Sequence, residues 1–200
     1  MPAEHAAARI PASRIPRCAE GAWGYDVAEV DAFLARVRKT LEAPDPAPGE
    51  GCALLLSTQV RAAVFSGARG GYRPEAVDEA LDAAEDALAA AEREQVLRLR
   101  GPEVWRQHVD ALTGLLRGRI ERPRTQRFRH PGRSRGQGYS AAHVDVLCER
   151  LGARLTDSAP LDPAELRGAV FPLAHGERSY EEQQVDAFLD RAVQLLLALR

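Results

Sequence analysis

The chain writes one phrase four times: a tyrosine, four residues, then Val-Asp followed by apolar residues at helical spacing. The tyrosines are Tyr25, Tyr72, Tyr139 and Tyr180. The dipeptides are Val30-Asp31, Val77-Asp78, Val144-Asp145 and Val185-Asp186. A repeat constrains the fold before any residue has a role, because every copy must bury the same stripe. Counted from each valine, positions four, seven and eleven are apolar. The stripes read Val30, Leu34, Val37, Leu41; Val77, Leu81, Ala84, Leu88; Val144, Cys148, Leu151, Leu155; and Val185, Leu189, Ala192, Leu196. Such spacing places the side chains on one helical face. Phe33, Ala80, Leu147 and Phe188, three after each valine, widen that face. Each copy is therefore a turn followed by an amphipathic helix.

The residue before each tyrosine is Gly24, Gly71, Gly138 or Ser179. Glycine there predicts a positive φ and a tight reversal. Start signals follow: Asp26 with Glu29 as a capping box, Pro74 at a first helical position, Ser140 as an N-cap, and Ser179 with Glu182 as a second box. The tyrosine ring is expected under the turn, the valine in the core and the aspartate near the positive end of the helix dipole.

The tyrosines are 47, 67 and 41 residues apart, which excludes a uniform solenoid. Copy two is introduced by Val60-Arg61-Ala62-Ala63-Val64-Phe65 and copy four by Leu166-Arg167-Gly168-Ala169-Val170-Phe171. Both segments read as helical, with Ser57 a cap for the first and Asp162-Pro163 with Glu165 a start for the second. Copies one and three follow Pro- and Arg-rich stretches instead. The simplest account is a two-copy unit duplicated once. Its first half is 1–100, with motifs at 15–42 and 57–100. The second is 101–200, with a connecting helix, an Arg-rich loop and motifs at 127–156 and 162–200. Residues 75–100 hold no Gly or Pro, so that helix has room for about 39 Å. Residues 102–117 read as another helix, and Pro44, Pro46, Pro48, Gly49 and Gly51 as a linker. The expected fold is all-α: six to eight short helices built from four turn-helix repeats in two pairs. Extended arms entering the odd copies leave room for minor strand pairing.

Composition excludes more than it assigns. The net charge of −2 gives no global drive toward nucleic acid or anionic lipid. No run of about 18 apolar residues predicts a membrane span, and the N-terminus lacks a signal-peptide h-region. Cys18, Cys52 and Cys148 read as free thiols, and the five histidines form no metal motif, so no metal or cofactor is expected. P-loop, GxGxxG and GxSxG are absent, so no enzyme is expected.

Charge is nonetheless uneven. Arg117, Arg119, Arg122, Arg124, Arg127, Arg129, Arg133 and Arg135 crowd one segment with His130, Phe128 and a single acid, Glu121. This reads as a loop or arm. It either grips phosphates, of lipid or nucleic acid, or pairs with acids such as Glu75, Asp78, Glu79, Asp82, Glu85 and Asp86.

The segment Gly24-Tyr25-Asp26-Val27-Ala28-Glu29-Val30-Asp31-Ala32-Phe33-Leu34 resembles the signature of the DivIVA domain, in which a Gly-Tyr-Asp turn precedes a Val-Asp-x-Phe-Leu helix. Val185-Asp186-Ala187-Phe188-Leu189 is similar, whereas Ala80 and Leu147 depart from the pattern. The nearest likeness is to actinobacterial proteins with several such motifs. The resemblance implies a cytoplasmic, non-enzymatic scaffold of cell division or polar envelope growth, peripheral at the inner face of the membrane at septum or pole. Its partners would be division or envelope proteins and anionic curved lipid. The implied membrane contact is an exposed aromatic just before Gly-Tyr beside basic residues: here Trp23, with Arg14 and Arg17. The bland alternative makes Trp23 a core ring covering the turn. The family's long coiled coil is missing, so the internal pairs are expected to replace dimerisation. The alternatives are a helical protein-interaction module without a membrane role and, third, nucleic-acid binding through residues 117–135.

Overall fold

The computed structural model describes residues 15–42, 54–132, 136–157 and 159–200. The chain divides into two compact units, 1–102 and 103–200. The first contains β1 (Trp23–Tyr25), α1 (Val27–Glu42), α2 (Ser57–Arg61), β2 (Gly67–Arg69) and α3 (Pro74–Arg100). The second opens with α4 (Pro102–Ile120). It continues as β3 (Gln137–Ser140), α5 (Ala141–Asp157), α6 (Pro163–Arg167), β4 (Leu173–His175), a 3-10 turn, β5 (Ser179–Tyr180) and α7 (Glu182–Ala198). After α4, the second unit thus follows the element order of the first, with β5 added. The molecule is mostly helical, but not all-α. The short antiparallel sheets are a correction to the sequence reading.

In the first unit the repeated stripes meet each other. Val30 and Leu34 of α1 share one core cluster with Val77 and Ala80 of α3. Val37 and Leu41 share the next with Ala84, Ala87 and Leu88. Early residues meet early and late meet late, so α1 and α3 run parallel. Antiparallel helices would mix the two sets. Leu55 and Val60 close the later cluster, which docks α2 there. Ser57 is the first residue of α2 rather than its cap. Its N–H and hydroxyl donate to the Glu92 carboxylate of α3, at 2.6 and 2.9 Å. The second short helix is capped locally as expected: Asp162 accepts from Ala164 N–H, and Glu165 accepts from Asp162 N–H.

Strand pairing begins where the arms cross. In the first unit Trp23, Gly24 and Tyr25 lie opposite Arg69, Ala68 and Gly67. Tyr25 and Tyr72 exchange both backbone hydrogen bonds, at 2.9 and 2.8 Å. In the second unit β3 lies between β4 and β5, and Tyr139 faces Tyr180. The glycines explain this geometry differently from the turn reading. Positive φ belongs to Gly21, Gly70, Gly101 and Gly176, not to Gly24, Gly71 or Gly138. A Cβ at Gly24 would stand 2.3 Å from the Tyr72 carbonyl oxygen, one at Gly71 2.3 Å from that of Tyr25, and one at Gly138 2.1 Å from that of Tyr180. Close backbone approach, not chain reversal, demands glycine here.

Two start signals also act differently. Asp26 accepts from Glu29 N–H, but Glu29 accepts from Ser66 N–H instead of closing the box. Ser179 is fully buried in β5 and donates to the Gly176 carbonyl, while Glu181 stands at the N-cap of α7. The linker prolines Pro44, Pro46 and Pro48, with Gly49 and Gly51, lie outside the described residues, as does Cys52.

Candidate functional site

Trp23 starts β1 and is 65% exposed. It is therefore not the core ring that the bland alternative supposed. Its backbone is held: Cys18 Sγ donates to the Trp23 carbonyl, and β1 pairs with β2. Its ring lies over Gly67, where a Cβ would sit 3.5 Å from the indole. The cross-strand partner Arg69 stacks its guanidinium 5.1 Å from the ring centroid and donates to the Gly21 carbonyl at 2.8 Å. An exposed indole thus carries a positive charge against its face on a pinned strand pair. Such a group suits a surface that is partly apolar and partly anionic.

The basic companion of Trp23 is Arg69, which the sequence reading missed. Only the strand register could have found it, since Arg69 is 46 positions away in the chain. Arg17 instead bridges to Tyr72 and lies 5.9 Å from that ring's centroid. Arg14 lies outside the described residues.

The phrase's tyrosines and aspartates bond across copies. Tyr72 donates its hydroxyl to Asp31 at 3.0 Å. Tyr180 donates to Asp145 at 3.0 Å. Beneath the first crossing, Phe65 meets the Tyr25 and Phe33 rings edge-on. In the second unit, Gln137 stands opposite His175 and exposed Leu173 opposite Tyr139.

The arginine segment is largely folded in. Arg127, 6% exposed, forms an ion pair with Asp145 at 3.2 Å and donates to the carbonyls of Ile120 and Asp145. Asp145, 1% exposed, also accepts from Thr125 N–H at 2.8 Å. Arg124 forms a fork onto Glu149 and holds that carboxyl below its usual range. Arg119 donates to the Arg127 carbonyl and lies 5.3 Å from the Phe128 centroid. Burial first, then the Arg122 charge, lowers its affinity for its proton. Arg124 and Arg127 find their carboxylates at Asp145 and Glu149. Arg117, Arg122 and Arg129 are exposed, and no side-chain partner is found for them among the described residues. Arg133 and Arg135 lie outside the described residues.

The Cys148 thiol is buried, and burial pushes it up to about 12. Among the described residues no cluster of His, Cys, Asp and Glu suits a metal, and no helix is long and apolar enough to cross a membrane. Comparison with protein-family models, curated proteins and solved structures finds no match for the chain.

Proposed function

We propose that this chain is a non-enzymatic adaptor of bacterial cell division or envelope growth that touches anionic membrane through the Trp23–Arg69 strand pair. The finer fold belongs to the same reading: four DivIVA-like repeats in two pairs, with copies one and two forming one module and copies three and four the other. The observation that carries it is the exposed indole with Arg69 stacked on it, at the position where the resemblance puts membrane contact. The reciprocal Tyr25–Tyr72 hydrogen bonds and the Tyr72–Asp31 and Tyr180–Asp145 bonds support the pairing. Arg117, Arg122 and Arg129 are a secondary source of charge for lipid phosphates. Nucleic acid fits less well, because Arg119, Arg124 and Arg127 are spent on internal contacts.

Co-sedimentation with phosphatidylglycerol vesicles, against phosphatidylcholine controls, tests the membrane contact. Trp23→Ala and Arg69→Ala should each weaken binding; one basic residue near an anionic surface contributes about 1 kcal/mol, about fivefold. No binding by the native protein sinks the membrane claim. The adaptor claim is read by a fluorescent fusion in the native host, where septal or polar foci are expected and diffuse signal counts against it. The second unit, with Gln137 and exposed Leu173 on its paired strands instead of an indole, favours protein contact there.

A further inference from the structure

One side of β4 has backbone groups with nothing to bond. Ser140 N–H donates to the Pro172 carbonyl and Gly176 N–H to the Gly136 carbonyl, at 2.8 and 3.0 Å. With Gly138 opposite Ala174 between them, residues 172, 174 and 176 are the ones that turn toward β3. The N–H and C=O groups of Leu173 and His175 therefore turn away from it. β4 ends the sheet on that side, and among the described residues nothing bonds these groups. Leu173 and His175 are both exposed. Pro172 does not guard this edge, because its missing N–H lies on the β3 side. The first unit differs here. Its strands bond in the same phase, which turns Gly67 and Arg69 outward, so β2 carries an arginine on its edge. An edge charge opposes pairing with another strand. β4 has Leu173 and His175 in those places, and no lysine, arginine or acid.

The geometry points to a second copy of this chain as the occupant, its β4 antiparallel to the first about a two-fold axis at Ala174. Leu173 of each copy then lies opposite His175 of the other, and the two exchange both N–H···O=C bonds. Donor and acceptor alternate along the edge, so its partial charges are complementary to those of the same edge turned round. Any other antiparallel register pairs one of these residues with a position outside β4. Ala174 meets its own copy across the axis, and a methyl group fits the spacing of about 4.5 Å between such non-hydrogen-bonded residues. The sheet β5-β3-β4 then continues through the axis into the partner. An edge of 3 residues buries far less than a standard protein interface, so the association is weak, with a Kd of about 100 µM. It does not depend on the membrane reading, because it needs neither Trp23 nor lipid.

Sedimentation velocity on the full chain without lipid, across about 5–500 µM, tests the association, and amide exchange read by NMR tests its place. A reversible dimer is expected. The N–H groups of Leu173 and His175 should exchange about threefold more slowly at about 500 µM than at about 20 µM. Ala174 N–H, bonded to β3 in both states, should not change. Leu173→Lys, at an exposed position, should weaken the dimer at least about tenfold with unchanged helical content. Trp23→Ala should dimerise as the native chain does. A monomer throughout, a dimer indifferent to Leu173→Lys, or exchange at Leu173 and His175 that ignores concentration overturns the proposal.

Discussion

A glycine and an aspartate show how burial, not motif, sets what a residue is worth. The turn reading of Gly24 predicts that alanine costs a little backbone strain. The structure puts a Cβ there 2.3 Å from the Tyr72 carbonyl oxygen and 2.9 Å from Cys18 Sγ. The backbone oxygen cannot swing aside, so Gly24→Ala should cost about 2–4 kcal/mol. Gly138→Ala should do the same, read as the shift in urea midpoint. Gly118→Ala, facing open space on a helix, should instead be neutral or stabilise by up to about 1 kcal/mol. The Tyr–Asp pairs separate likewise. Asp31 is exposed, whereas Asp145 is 1% exposed and shares its charge with Arg127. Tyr72→Phe should therefore cost under about 1 kcal/mol, and Tyr180→Phe about 1–3 kcal/mol, because the second leaves a buried carboxylate short of a donor. Equal losses in denaturant titration would contradict this ranking. Identical motifs in the sequence could not reveal it, since burial is set by the arm that carries Arg127.

At the scale of elements, periodicity made the long helices legible and left the strands unseen. Pro74 opens α3, and the absence of Gly and Pro carries it to Arg100, where Gly101 at φ +85 and Pro102 end it. A strand of two to four residues holds no alternation to read, and Gly24 and Gly138 have low strand propensity. Those strands form because crossing arms leave N–H and C=O groups that must pair. The caps divide the same way. Asp162 and Glu165 are local to α6 and visible in sequence, whereas α2 has only Gln59 locally, accepting from Leu56 N–H, and is closed further by Glu92, 35 positions beyond Ser57. A distant cap ties two elements together. Glu92→Ala should lose two charge-assisted bonds and cost about 1–2 kcal/mol, while speeding amide exchange across residues 57–61. Asp162→Ala should cost about 1 kcal/mol and leave α2 undisturbed. Exchange in α2 that ignored Glu92→Ala would contradict its docking through that carboxylate.

The whole molecule is where a repeated phrase says most, because the spacing of the tyrosines already marked two halves. That the contacts close within each half is an expectation from the missing coiled coil, not from the spacing. Tyr25 meets Tyr72, Tyr139 meets Tyr180, and the stripes of α1 and α3 fill common clusters. A parallel helix pair split between two chains would have to gather both before either could bury its stripe. Its stability would then rise with concentration, as for any obligate dimer. Here both stripes of the first unit's helix pair belong to one chain, so unimolecular folding is expected. The melting temperature should therefore be the same within error at about 1 and 10 µM. A rise of several degrees over that tenfold step would mean that chains exchange these helices, and that the crossings at Tyr72 and Tyr180 join different molecules.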